Sequence, residues 1–190
     1  MTAPAAFNVW VALFRGINVG GKHILPMKDL RALLTDMGLL DVQTYIQSGN
    51  AVFRQAADNT QAPSSLAEQI TSAVSRQYEF EPKVLIVSKD ALQEVISANP
   101  FPEAAQAPKT LYLYFLAGIP EQPDWAKLEA LKQPSEHMKL VENVFYLYAP
   151  DGIGRSKLAA KAEKLLGIAA TARNWRTVCK LAELASSIAV

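Results

Sequence analysis

Two cations, Arg15 and Lys22, bracket a short polar stretch that holds Gly16, Asn18, Gly20 and Gly21. An apolar run, residues 7–14, empties into it. Backbone N–H groups unshielded by side chains, next to positive charge, suit an anion. Gly16, Gly21 and Lys22 also match the spacing of a phosphate-binding P-loop. That chemistry needs a Ser or Thr directly after the lysine to hold magnesium, and a helix that starts at once. Here His23 follows and Pro26 delays the helix, so the spacing does not make a nucleotide-hydrolysing site. Two readings remain. One is an anion or polar-ligand site using Arg15, Asn18, Gly20, Gly21 and Lys22. The other is a glycine-rich connector whose Arg15 pairs with a carboxylate.

Further polar strings occur at Gln47-Ser48-Gly49-Asn50 and at Arg173-Asn174-Trp175-Arg176-Thr177. Ser48-Gly49-Asn50 suits a tight turn. Ser48 as a nucleophile would need a base, and the chain has only His23 and His137 to offer. His23 reads as a surface residue. One cysteine and two histidines, with no H-x-x-x-H or C-x-x-C spacing, argue against zinc. Nothing in the residues names a cofactor or a catalytic set. Asn174 suits the N-cap of a last helix, with Trp175 as a core anchor. Arg173 and Arg176 then sit at the positive end of the helix dipole, where a cation needs an anion or a carboxylate to answer it. Arg155, Ser156 and Lys157 gather at another helix start.

These groups must be positioned by elements whose periods alternate along the chain. Residues 7–14 read as a strand with both faces apolar. Leu30, Leu33, Leu34 and Met37 form a helical stripe after Pro26, stopped by Gly38. Residues 42–47 and 51–54 read as a hairpin about Ser48-Gly49-Asn50. Ser65 and Glu68 have capping-box spacing before a helix carrying Leu66, Ile70, Val74 and Tyr78. Residues 83–87 are a fourth strand, and Ser88 caps a short helix. Pro100, Pro102 and Pro108 then mark a linker. The order repeats beyond it: strand 111–117, a helix at Trp125, Leu128 and Leu131, a hairpin of 137–141 and 144–149, and helix 156–166. An extended piece at 168–172 leads into a last helix with Val178, Leu181, Ala182 and Ala185 inward.

Each half thus reads β-α-β-β-α-β plus an extra helix. The expected fold is α+β, two tandem ferredoxin-like plaits, with residues 1–98 the first, 99–109 a linker and 110–190 the second. In such a plait the ends of the first two strands share a sheet edge with the turn of the hairpin. That brings residues 15–22 beside 47–50, and by the same logic 151–157 beside 173–177. A net charge of +1 rules out a strong overall pull toward nucleic acid or acidic membranes. Residues 1–14 lack a basic leader segment, their apolar run is too short to span a bilayer, and the lone Cys179 fits a reducing compartment. No membrane contact and a cytoplasmic location are the expectation. Tyr112, Tyr114, Tyr146 and Tyr148 fall on the two central strands of the second half, where RNA-recognition plaits carry base-stacking rings. The basic-glycine start of such a motif is missing from residues 142–148, so RNA is the alternative partner and not the first.

Three strings in one order, residues 15–22, 45–50 and 173–177, resemble the bacterial proteins grouped as domain of unknown function 1697. The resemblance extends over the whole chain and implies tandem ferredoxin-like plaits. It implies no activity. The function expected is therefore binding of a small anionic or phosphorylated ligand at Arg15, Asn18, Gly20, Gly21, Lys22, Gln47, Ser48, Asn50, Arg173, Asn174 and Arg176. The alternative is an RNA- or protein-binding module using the aromatic sheet face of the second plait.

Overall fold

A computed structural model describes residues 6–59 and 61–189. The start of the N-terminal stretch read above, residues 1–5, lies outside them. The chain divides into two compact units, Met1–Gln93 with Lys180–Val190, and Glu94–Cys179.

The first unit contains β1 (Phe7–Arg15), α1 (Met27–Asp36), β2 (Leu40–Thr44), β3 (Asn50–Ala56), α2 (Pro63–Tyr78), β4 (Lys83–Ser88) and the start of α3 (Lys89–Ser97). Its four strands form one antiparallel sheet in the order β2-β3-β1-β4. β1 pairs antiparallel with both β3 and β4, and β2 pairs antiparallel with β3, so β1 and β2 run the same way. Val11, Ala12, Leu13 and Phe14 are all fully buried, which explains why both faces of the strand are apolar there. Ala12, Phe14 and Phe53 pack under Leu30 and Leu34 of α1 and under Leu66, Ile70 and Val74 of α2. Both helices therefore lie on one face of the sheet.

Two local readings are corrected. The capping box at Ser65 and Glu68 does not form: α2 starts at Pro63, capped at Ala62 with no side-chain hydrogen bond. Proline already holds the helical φ and lacks the N–H that a cap would satisfy, so the helix begins there. The strand expected over 42–47 is β2, and it ends at Thr44, because Ile46 takes φ 49 and cannot continue a ladder. Ser88 does cap α3, its Oγ accepting from Ala91 N at 3.1 Å.

The second unit contains β5 (Leu111–Leu116), α4 (Trp125–Leu131), β6 (His137–Val141), β7 (Val144–Tyr148), α5 (Lys157–Leu166), β8 (Ala170–Asn174) and the start of α6 (Trp175–Ser187). Its sheet runs β6-β7-β5-β8, again antiparallel throughout. Tyr114, Leu116, Phe145 and Leu147 pack with Leu128 of α4 and with Leu158, Ala162 and Leu166 of α5. The proline-rich stretch holds a 3-10 turn, Pro102–Gln106, with Ala104 buried. In α6, Val178, Leu181 and Ala185 are buried and Ala182 is half-buried. The chain is thus α+β with two four-stranded antiparallel sheets and six α-helices among the described residues. No helix among them is long and apolar enough to cross a membrane.

Candidate functional site: two loops at one sheet edge

The register of β1 against β3 brings Leu13 opposite Asn50, so the segment leaving β1 meets the turn that enters β3. The two are bonded directly. Phe14 N donates to Gly49 O at 2.9 Å. The Asn18 side chain joins the loops at a second point, Nδ2 donating to Gln47 O at 2.8 Å and to Leu25 O at 2.9 Å. Its Oδ1 accepts from Leu25 N at 2.8 Å. Asn18 is thereby committed to holding the loop, with its acceptor and both amide protons in use.

Gly49 closes the join. It has φ +82, and a Cβ there would lie 2.6 Å from Ile17 Cδ1 and 2.7 Å from Phe14 Cβ. No side chain fits, and L-residues resist that backbone region. Ile17 is 1 % exposed, tucked under the turn. Asn50 is fully buried, its Nδ2 donating to Tyr45 O at 3.0 Å and to Ser48 Oγ at 3.3 Å.

Beyond Asn18 the loop is a small hairpin. Asn18 N donates to His23 O and Lys22 N to Val19 O, with Gly20 and Gly21 both at positive φ between them. Two left-handed residues at the tip are the type I′ pattern of a two-residue hairpin. This is the physical reason the P-loop spacing is empty here: the glycines build a turn, and no helix follows them. The finger presents Lys22, and among the described residues Lys22 has no ion-pair partner. Val19 is 66 % exposed beside it, with Ile24 at 54 % and Ile46, on the neighbouring loop, at 48 %. Gln47 and Ser48 are exposed at the same edge. Arg15, half-buried, stands directly opposite Lys83 of β4.

The second string is placed by the pairing of β8 with β5, which sets Asn174 opposite Tyr112. Leu111 pairs with Tyr148 at the same end, so residues 151–157, leaving β7, share that edge. Asn174 caps α6, its Oδ1 accepting from Thr177 N at 2.9 Å. Arg176 N is taken by Pro108 O at 3.4 Å. Two of the first amides of α6 are therefore occupied. Arg173 is buried, its Nη1 donates to Ala172 O at 2.8 Å, and burial pushes its guanidinium down to about 10. Arg176 is exposed. At the other helix start, Ser156 Oγ accepts from Ala159 N, and Gln133 Nε2 donates to Arg155 O.

The four tyrosines do not share one sheet face. Tyr114 pairs with Phe145 and Tyr112 with Leu147, on the side covered by α4 and α5. Tyr146 and Tyr148 pair with Leu113 and Leu111, one residue out of step and so on the opposite side. Tyr114 is 7 % exposed and Tyr146 fully buried, its hydroxyl donating to Val95 O at 2.7 Å. Tyr148 packs in a ring cluster with Phe101 and His137. They form no continuous open platform of rings.

Comparison with known proteins follows the same residues. The family described as "Protein of unknown function (DUF1697)" matches residues 7–146. The chain belongs to this family. The matched segment includes residues 15–22 and 45–50 and stops before 173–177. A solved structure, described as a conserved bacterial protein, SP0830, from Streptococcus pneumoniae, is similar with a TM-score of 0.73 and 24 % identity. The similarity covers 95 % of this chain and 99 % of that one. At that identity the likeness concerns the fold. No curated protein matches the chain.

No group of three or more His, Cys, Asp or Glu suited to a metal occurs among the described residues. A groove of about 530 Å³, lined by Met37, Ser65, Glu68, Ser72 and Arg76 among others, includes none of the clustered residues. Sequence reasoning took His23 only as a surface residue and passed over Val19, Ile24 and Ile46. The signal for the first three was present: a Gly-Gly pair is a hairpin turn, and the residues flanking it must project with it.

Proposed function

We propose that the chain binds a small anionic or phosphorylated ligand at the sheet edge formed by residues 15–24 and 45–50. The observation that carries this reading is the preformed join between the two loops. Asn18, Gly49 and Phe14 lock it, and Lys22, Gln47 and Ser48 are left exposed on the joined loops. A loop backbone already held in place need not be ordered when a ligand arrives, so less of the contact energy is lost to ordering. Arg15 and the backbone amides at Gly20 and Gly21 are the further contacts proposed. Arg173, Asn174 and Arg176 belong to a second, weaker contact, in which the exposed Arg176 has the larger part. The strand order β2-β3-β1-β4 supports reading each unit as a ferredoxin-like plait, and the lone Cys179 supports a cytoplasmic setting.

A second reading, a protein partner at the same loops, is favoured by the exposed Val19, Ile24 and Ile46. A thermal-shift screen over nucleotides and phosphorylated metabolites separates the two. A specific ligand raises Tm with concentration. Lys22→Ala is expected to abolish the rise while leaving the unliganded Tm in place. If Lys22→Ala and Arg15→Ala both retain the full rise, the site lies elsewhere. If no compound raises Tm, the small-ligand reading fails and the protein partner takes its place.

A further inference from the structure

Of the outer strands of the two sheets, β2, β4, β6 and β8, all but β4 carry a charged residue within the strand. β2 has Asp41, at φ 51 and at a shift in register; β6 has the exposed Lys139; β8 has Arg173. Charges and bulges keep an outer strand from pairing with another chain. β4 has neither. Its interior is Val84-Leu85-Ile86-Val87, and its ladder with β1 runs unbroken from Lys83 to Ser88.

The register fixes which backbone groups of β4 face outward. Phe14 N bonds Gly49 O and Ala57 N bonds Ala6 O, so even-numbered residues of β1 bond to β3 and odd-numbered ones to β4. Leu13 therefore exchanges bonds with Leu85, and Val11 with Val87. The N–H and C=O of Val84 and Ile86 point the other way, and no backbone group among the described residues bonds to them. Pro82 comes next in that outward row, but it has no N–H and its carbonyl accepts from the Thr71 hydroxyl at 3.0 Å. Val84 and Ile86 send their side chains to the core under α1 and α2, while Leu85 and Val87 are half-buried on the other face.

We propose that β4 pairs antiparallel with β4 of a second copy of this chain, about a two-fold axis at Leu85. A two-fold normal to the sheet keeps every residue on its own face, so one residue must meet its counterpart at the centre. Centring on Ile86 sets Lys83 against Lys89 of the second copy, a like-charge pair. Centring on Val84 draws Pro82 into a bonded pair it cannot complete. Centring on Leu85 avoids both. Val84 then exchanges N–H···O bonds with Ile86 of the second copy, and Ile86 with Val84 of the second copy, which uses every outward amide of the interior. The two leucines face each other across the axis, and Lys83 meets Val87 of the second copy. At both ends the exposed Glu81 comes opposite Lys89, a pair of opposite charge. This charge match, around an apolar centre, is what selects a second copy as the occupant.

A contact of this size is weak, so association is read at high concentration. In sedimentation equilibrium of the full chain, from about 10 μM to about 1 mM, the mass should rise from 20.7 kDa toward twice that value. Glu81→Lys sets like charges at both ends and should weaken association roughly tenfold, and Glu81→Lys with Lys89→Glu should restore it. Cysteine pairs in a Cys179→Ser background read the register. Leu85→Cys brings the two Cα atoms to about 4.5 Å and should oxidise to a covalent dimer. Val87→Cys leaves its two Cα atoms about 13 Å apart and should not. A mass that stays at one chain throughout overturns the proposal, and so does a dimer in which Val87→Cys crosslinks as fast as Leu85→Cys. Should Leu85→Cys fail to fold, the charge exchange decides: association unchanged by Glu81→Lys overturns the pairing.

Discussion

Among the glycines, Gly49 has the least room for a side chain. A methyl group there would meet Phe14 and Ile17 at under 3 Å, on a backbone already at positive φ. Gly21 also has positive φ, but nothing lies within 4 Å of where its Cβ would be. Gly49→Ala is therefore expected to cost about 2–4 kcal/mol, overpacking added to backbone strain, and Gly21→Ala about 1 kcal/mol. Urea unfolding of the two variants checks the difference, and equal costs would contradict the described join. The phenols of Tyr114 and Tyr146 give a second prediction. Burial pushes each up to about 12, helped by Tyr112 and Glu136 for Tyr114 and by Glu142 for Tyr146. In the unfolded chain phenols ionise near ~10, so from there upward the unfolded state sheds protons first and stability falls until pH reaches about 12. Arg173, pushed down to about 10, acts with the opposite sign over the same window. Two phenols outweigh one guanidinium, so the urea midpoint should fall above pH 10, and Tyr146→Phe should flatten that fall. The polar character of these loops was legible in the sequence, but Asn18 shows where it stops. An asparagine between glycines looks the same whether it faces a ligand or, as found, spends both amide protons on Gln47 and Leu25.

At the scale of elements, the helix starts offer a matched pair. Ser156 caps α5 through a 2.9 Å bond from Ala159 N, whereas Ser65 lies inside α2, behind Pro63, and caps nothing. Ser156→Ala should cost about 1 kcal/mol and Ser65→Ala no more than about 0.5 kcal/mol. Thermal unfolding of both variants decides it, and a larger loss at Ser65 would contradict the helix start at Pro63. Most elements were legible because apolar period and end signals agreed. The hairpin about Glu142-Asn143, the helix start at Ser156 and the stripe of α1 all follow that rule. The failures came where two local signals competed. Proline at the first helical position prevailed over a capping box at Ser65. Left-handed Ile46 ended β2 inside an apolar-looking stretch, and a β-branched residue at φ 49 cannot be read from pattern, since its neighbours impose it. The tyrosines do lie on the two central strands, but one step of register between those strands sends each pair of rings to a different face.

At the scale of the whole molecule, the chain repeats one arrangement of strands and helices, and its family match covers the first copy and part of the second. A net charge of +1 supplies no long-range field, so the recognition proposed at residues 15–24 and 45–50 would be local and short in range. That makes the place of binding a sharper claim than the identity of the ligand. Amide chemical-shift mapping of the ¹⁵N-labelled protein with inorganic phosphate and with AMP tests it most directly. The account predicts saturable shifts gathered at residues 16–24 and 47–50, lost in Lys22→Ala and retained in Arg176→Ala. Shifts confined to the start of α6, or scattered and linear in ligand concentration, would contradict it.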